Sequence, residues 1–194
     1  MQHFTHDDLY SLEEYARLRD GFRKQVMAHK KDRRVPVGPN AALYFEDRLT
    51  LQYQIQEMLR IERVFEPEGI AEELEAYNPL VPDGTNWKAT FMIEYPDIDE
   101  RRRMLTRLIG IDRATWVRVG DLARVFAISN EDLARETEDK TSAVHFMRFE
   151  LTPEMIADAK AGADIAVGIE HENYTHTVSP LPQNVRASLV GDLD

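Results

Sequence analysis

The chain has 194 residues and a formal net charge of −11, with 43% hydrophobic and 30% charged residues, the balance of an ordinary globular protein able to bury its own core. It has no cysteine, which excludes disulfides, thiolate zinc sites, cysteine-held iron–sulfur clusters and a cysteine nucleophile. The acidic surface argues against nucleic acid as partner, "MQHFTHDDLYSLEEY" has no signal pattern, and no apolar run approaches the roughly 20 residues of a membrane span, so a cytoplasmic protein without membrane contact is expected.

In chain order, "SLEE" opens a helix, with Ser11 as its cap and Glu14 at the third position of a capping box. Leu12, Tyr15, Leu18 or Arg19, Phe22 and Val26 recur at helical spacing, and the helix is expected to reach about Lys31. Val35, Val37, Leu43 and Phe45 flank a Gly-Pro-Asn turn and read as a strand pair. "RLTLQYQIQEMLRIERVF" is a second helix. Its Leu51, Ile55, Met58, Leu59 and Glu62 line one side, and Tyr53, Ile55, Met58 and Leu59 are expected to pack between the first helix and the sheet. Exposure of Met58 and Leu59 would instead mark a homodimer surface. Pro67 opens a third helix at its permitted first position, and Asn78-Pro79 ends it.

From Trp87 the period falls from 3.6 to 2, as "WKATFMIEY" alternates Trp87, Ala89, Phe91, Ile93 and Tyr95 against polar neighbours. A helix capped by Asp97 and ended by Gly110 comes next, then "TWVRV" and "LARVFAI" as a hairpin about a Gly-Asp turn. After the acidic stretch "SNEDLARETEDKT" the order recurs. "AVHFMRFEL" is a strand, Thr152 caps a helix that Gly162 stops, and "DIAVGIEH" with "YTHTVS" forms a hairpin before a short last helix. The second half thus reads strand–helix–strand–strand twice. The expected fold is α+β in a single domain over residues 1–194. Residues 1–80 are mainly helical, and residues 87–194 form a mixed, largely antiparallel sheet with helices mainly on one face.

Chemistry concentrates in "GIEHENYTHT", residues 168–177. With Glu172-Asn173 as the turn, His171 faces Tyr174 and Ile169 faces His176, so both histidines and the tyrosine share the apolar face while Glu170 points away. His145 lies on a similar apolar face in "AVHFMRFEL". Neutral imidazole is the commonest metal ligand, and His171, His176 and His145 would suit an open zinc or iron site. The opposing reading is of satisfied core or rim histidines, since no HxH or HExxH spacing forces coordination. Glu57 and Glu62 lack the Glu-x-x-His partner motif of di-iron bundles and read as polar helix positions, with Glu57 pairing to Arg60. The basic runs at 29–34 and 101–103 read as solvated helix faces, with Asp99 pairing to Arg103. The sequence carries no nucleotide-binding glycine fingerprint, no GxSxG elbow and no calcium loop.

The segments "SLEEYARLR", "VPVGPNAALYFEDRLTLQYQIQEMLRIE" and "FELTPEMIADAKAGADIAVGIEHENY", together with "FMIEYPD", resemble the bacterial domain-of-unknown-function family numbered 3501 over nearly the whole chain. Members often have "DHP" where this chain has "EHE" at 170–172, which keeps His171 in the matching place. The family has no established activity, so the resemblance supplies no catalytic residues. It implies a context instead. Such proteins are often encoded beside rubrerythrin and an iron–sulfur oxidoreductase subunit, which suggests a cytosolic accessory role in peroxide or redox metabolism. Two functions are therefore expected, the first favoured. In one, an accessory subunit presents the helix at 48–65 to a partner protein or a second copy. In the other, a metal- or small-ligand-binding protein or enzyme uses His171, His176 and His145, with Tyr174 as a polar tip.

Overall fold

The computed structural model describes residues 3–131, 135–137 and 139–194. Its elements are α1 (Leu12–His29), β1 (Arg34–Pro36), β2 (Ala41–Glu46), α2 (Arg48–Glu62), α3 (Pro67–Tyr77), β3 (Asn86–Ile93), α4 (Ile98–Arg107), β4 (Thr115–Val119), β5 (Val125–Phe126), β6 (Ile128–Ser129), β7 (Val144–Glu150), α5 (Pro153–Ala161), β8 (Ile165–His171), β9 (Tyr174–Val178) and α6 (Gln183–Val190). The expected caps form: Ser11, Asp97 and Thr152 each accept the backbone N–H three residues on. Gly110 and Gly162 take positive φ at or just past the ends of α4 and α5, where a side chain would be strained.

The fold is α+β, but the strands form two sheets rather than the single mixed sheet expected. One has the order β1-β2-β3-β7-β6 and the other β5-β4-β8-β9, with every pairing antiparallel. Alternation explains the division. Trp87, Phe91 and Phe149 line one face of the first sheet, and Val117, Val167 and Ile169 line one face of the second. Neither apolar face can stay in water, and packing one on the other buries both, at about 1.5–3 kcal/mol per large side chain. α4 and α5 each carry the chain from the first sheet to the second. The two units, β3–α4–β4–β5 and β7–α5–β8–β9, therefore place equivalent strands side by side and antiparallel, β3 against β7 and β4 against β8. A local two-fold axis between them gives that arrangement.

"LARVFAI" is not one strand. Val125 pairs with Val117 in the second sheet, and Ser129 pairs with Met147 in the first, so the chain changes sheets at Ala127. The turn before β5 spans residues 120–124, wider than the Gly-Asp pair expected. The N-terminal part also contributes to the first sheet, since β2 pairs with β3 along its whole length.

A second apolar cluster joins Leu51, Ile55 and Leu59 of α2 to Ile70 and Leu74 of α3. Met58 is partly exposed, and Tyr53 meets Phe22 of α1 ring to ring. Glu57 is more than a surface partner of Arg60. It accepts from Arg19 at 2.7 and 2.8 Å and from Tyr15 at 2.8 Å, against 3.4 Å from Arg60. The Arg19 bonds above all hold its carboxyl down at about 2. Asp99 pairs with Arg102 at 3.6 Å instead of with Arg103. Arg33 ties the N-terminal part to the C-terminus. It is buried, bonds both Asp192 oxygens, donates to the Phe45 and Glu46 carbonyls, and lies 3.3 Å from Asp47.

Candidate functional site

The hairpin of β8 and β9 has the expected register, with His171 opposite Tyr174 and Ile169 opposite His176, so the histidines share a face. Their surroundings differ. The His171 Nε2–H donates to the Ile109 carbonyl (3.0 Å), and its Nδ1 accepts from the Asn173 N–H (3.2 Å). Both ring nitrogens are thereby committed. His176 is exposed and packs edge-on against Tyr174, whose hydroxyl donates to the Val37 carbonyl and accepts from the Asn40 N–H. Gly38 lets the hairpin close, because a Cβ there would come within 2.6 Å of His176 Cγ and 2.7 Å of Tyr174 Oη. His145 lies in the other sheet, on β7, and is fully buried. Among the described residues no group of three or more His, Asp or Glu is arranged to hold a metal ion.

His145 leads instead to a cleft that the sequence did not mark. Its Nε2 faces the Ser142 carbonyl (3.0 Å) and Thr141 Oγ1 (2.9 Å). A carbonyl only accepts, so Nε2 carries the proton and Nδ1 is an acceptor. The Asn130 amide donates to that Nδ1 (3.0 Å) and to Asp112 Oδ2 (3.1 Å). Both its protons are then used, which fixes the orientation of the amide and leaves Oδ1 over. Burial pushes the His145 imidazole below its ordinary value, and the Asp112 carboxylate, 4.0 Å away, pulls the other way.

The result is a concentration of unmet acceptors. Asp112 Oδ1, Asn130 Oδ1 and Ser129 Oγ are all buried, and none has a hydrogen-bond partner among the described residues. The three residues line one cleft of about 470 Å³, with Arg113, Arg135 and Glu136 also on its walls. Asp112 is only 2% exposed. A buried polar atom without a partner costs about 1–3 kcal/mol, so three beside one cleft are not the result of efficient packing alone.

The segment at 108–114 positions Asp112 and is pinned from several sides. His171 holds the Ile109 carbonyl, Glu136 Oε2 accepts the Gly110 N–H (2.6 Å), and Thr115 Oγ1 donates to the Ile111 carbonyl (2.9 Å). Arg113, its side chain 65% exposed, donates to Glu136 Oε1 (3.0 Å). Thus His171 bonds the connector directly and His145 reaches it through Asn130, from opposite sheets and without converging on a shared ligand.

Two antiparallel sheets sharing a core, with a helical layer beside the first, define the class as α+β. The chain belongs to the family described as protein of unknown function (DUF3501), whose model matches residues 3–193. It is similar to a crystal structure of a novel protein of unknown function from Burkholderia pseudomallei K96243, with 49% sequence identity, complete coverage of both chains and a TM-score of 0.92. No curated protein matches it. No helix among the described residues is long and apolar enough to cross a membrane.

Proposed function

We infer that this chain is a small-ligand-binding protein whose site is the cleft between the α4–β4 connector and β6. The observation that carries this reading is the set of three buried oxygens on Asp112, Ser129 and Asn130 that have no partner among the described residues, all belonging to residues that line one cleft. Proteins satisfy buried polar groups almost everywhere, and exceptions gather where a ligand completes the bonding. The reading keeps His145 of the three expected site histidines, as the group that orients Asn130, and moves the site away from His171 and His176.

The test is a solution NMR screen of the labelled protein against mixtures of small amines, amides, carboxylates and divalent cations. Shifts are expected to gather on the amides of residues 110–113 and 128–130. A screen whose shifts gather elsewhere, or that yields none, refutes the reading.

A second reading, docking of a partner protein or second copy by an accessory subunit, is supported by Ile61 and Phe65. They are 64% and 67% exposed at and just past the end of α2, and Phe65 lines a groove with Leu9, Leu59 and Ile70. The accessory role in peroxide or redox metabolism implied by the family resemblance belongs with this reading. Sedimentation across a concentration series tests its self-association form.

A further inference from the structure

The distribution of charge in the same cleft defines the chemistry of the ligand, an inference that rests on the ligand-binding reading. The inner groups are acceptors: a carboxylate oxygen, an amide oxygen and a hydroxyl, each buried and without a partner among the described residues. One of them, on Asp112, belongs to an acid that is itself almost wholly buried. A protonated amine brings three N–H donors and one positive charge, which matches three acceptors and one carboxylate.

The outer wall has the opposite character. Arg113 stands largely in solvent, and Arg135 lines the same cleft with its guanidinium over the Phe146 ring. A guanidinium offers five N–H donors in a planar fork suited to a carboxylate. The bond from Arg113 to Glu136 engages one of its nitrogens. The described charged side chains lining the cleft are Asp112, Arg113, Arg135 and Glu136, so their formal charges cancel, with Arg113 paired to Glu136 at 3.0 Å and Asp112 buried. A divalent cation would gain the Asp112 carboxylate, since both Glu136 oxygens are already engaged by Gly110 and Arg113, and would face two guanidinium groups. A simple anion would gain the guanidinium groups but leave the buried acceptors unmet.

We propose that the cleft binds a small zwitterion, an amino acid or close analogue, with its ammonium group on Asp112, Asn130 and Ser129 and its carboxylate towards Arg113. A cleft of about 470 Å³ has room for such a molecule.

The test is calorimetric titration and thermal unfolding of the full chain with glycine, β-alanine, 4-aminobutanoate, methylamine, acetate, acetamide, magnesium chloride and calcium chloride. At least one amino acid is expected to bind at least tenfold more tightly than either methylamine or acetate. Asp112→Asn is expected to weaken that binding tenfold or more. Arg113→Met is expected to lower amino-acid affinity to the methylamine level without changing methylamine binding. Because Arg113 is mostly exposed, this second variant remains informative if Asp112→Asn fails to fold.

Acetate binding as well as the amino acids overturns the proposal, as does affinity unchanged in both variants. Tight binding of magnesium or calcium, lost in Asp112→Asn, overturns it in favour of a cation site. Acetamide binding best overturns it in favour of an uncharged donor. In these last two cases the ligand-binding reading stands. Silence from every probe overturns the zwitterion, and the broader reading falls with it only if the NMR screen is also blank.

Discussion

Gly168 sits directly opposite Trp116 in the β4–β8 ladder, on the face of the second sheet turned away from the core. A Cβ added there would lie within 2.5 Å of Trp116 Cε2 and 3.0 Å of Cη2, whereas ordinary contact begins near 3.4 Å, so the indole must retreat by at least about 0.9 Å. It has little freedom to do so. Trp116 is 2% exposed, Phe126 pairs beside it, and the Arg124 guanidinium lies 4.2 Å from the ring. The backbone at 168 does not take positive φ, so the cost of Gly168→Ala is steric. Overpacking of this kind costs about 1–3 kcal/mol. At roughly 2–4 °C per kcal/mol for a chain of this size, the melting temperature should fall by about 2–12 °C. Gly21→Ala is the matched control. A Cβ at position 21, inside α1, meets nothing within 4 Å, and replacing helical glycine gains up to about 1 kcal/mol. Thermal unfolding followed by circular dichroism and tryptophan emission reads both variants. A Gly168→Ala protein melting within a degree of wild type with unchanged emission would refute the reasoning, as would a Gly21→Ala protein that melts equally low.

Two further outcomes concern pH. Burial raises the Asp192 carboxyl to about 6 despite its bonds to Arg33, so its folded value lies above the unfolded 3.8. Its contribution is complete below about 3.8 and is lost as pH rises through about 6. Urea unfolding at pH 5 and 7 should therefore show wild type losing stability relative to Asp192→Asn over that interval, and parallel curves would contradict the assignment. His145 shifts the other way, with its folded value below the ordinary 6.5 because of burial. Its contribution is complete above about 6.5 and is lost as pH falls towards the folded value. His145→Gln should remove that acid-side loss, and an unchanged acid limb would show that His145 does not titrate as argued.

Much of the local structure was legible because it depends on neighbouring residues. The β8–β9 register comes from strict alternation about Glu172-Asn173, and a shift of one residue would have turned every side chain over. Alternation shows which residues share a face, but not which strands pair. The division into two sheets was therefore hidden, and so was the switch at Ala127, where one apolar run serves both sheets. The cleft was hidden for the same reason. Asp112 and Asn130 are 18 residues apart, and the pairing of β6 with β7 brings Asn130 to His145. No local spacing announces that meeting. The histidines were conspicuous for their chemistry, yet the ring nitrogens of His145 and His171 bond groups of the protein itself, and His176 stands exposed beside Tyr174.

The repeat indicates why the site lies where it does. Each unit has a glycine of positive φ at or shortly after the end of its helix and an aspartate two residues later, Gly110 to Asp112 in the first and Gly162 to Asp164 in the second. Two-fold geometry alone would give the two aspartates matching surroundings. Asp164 is nevertheless exposed, while Asp112 is buried. The difference lies in the path the chain takes beyond each hairpin. After β5 the chain crosses to the first sheet as β6 and brings Ser129, Asn130 and Glu136 over the first connector. After β9 it leaves instead for α6, which accepts the Trp87 indole N–H on the Leu189 carbonyl and whose Arg186 donates to the Ala163 carbonyl of the second connector, while Asp164 stays exposed. The second hairpin also returns His171 to hold the Ile109 carbonyl of the first connector. One copy of the unit thus supplies the carboxylate and the other helps hold its backbone in place. The excursion that breaks the symmetry supplies the remaining acceptors, so the cleft belongs to the departure from the repeat and not to either copy alone.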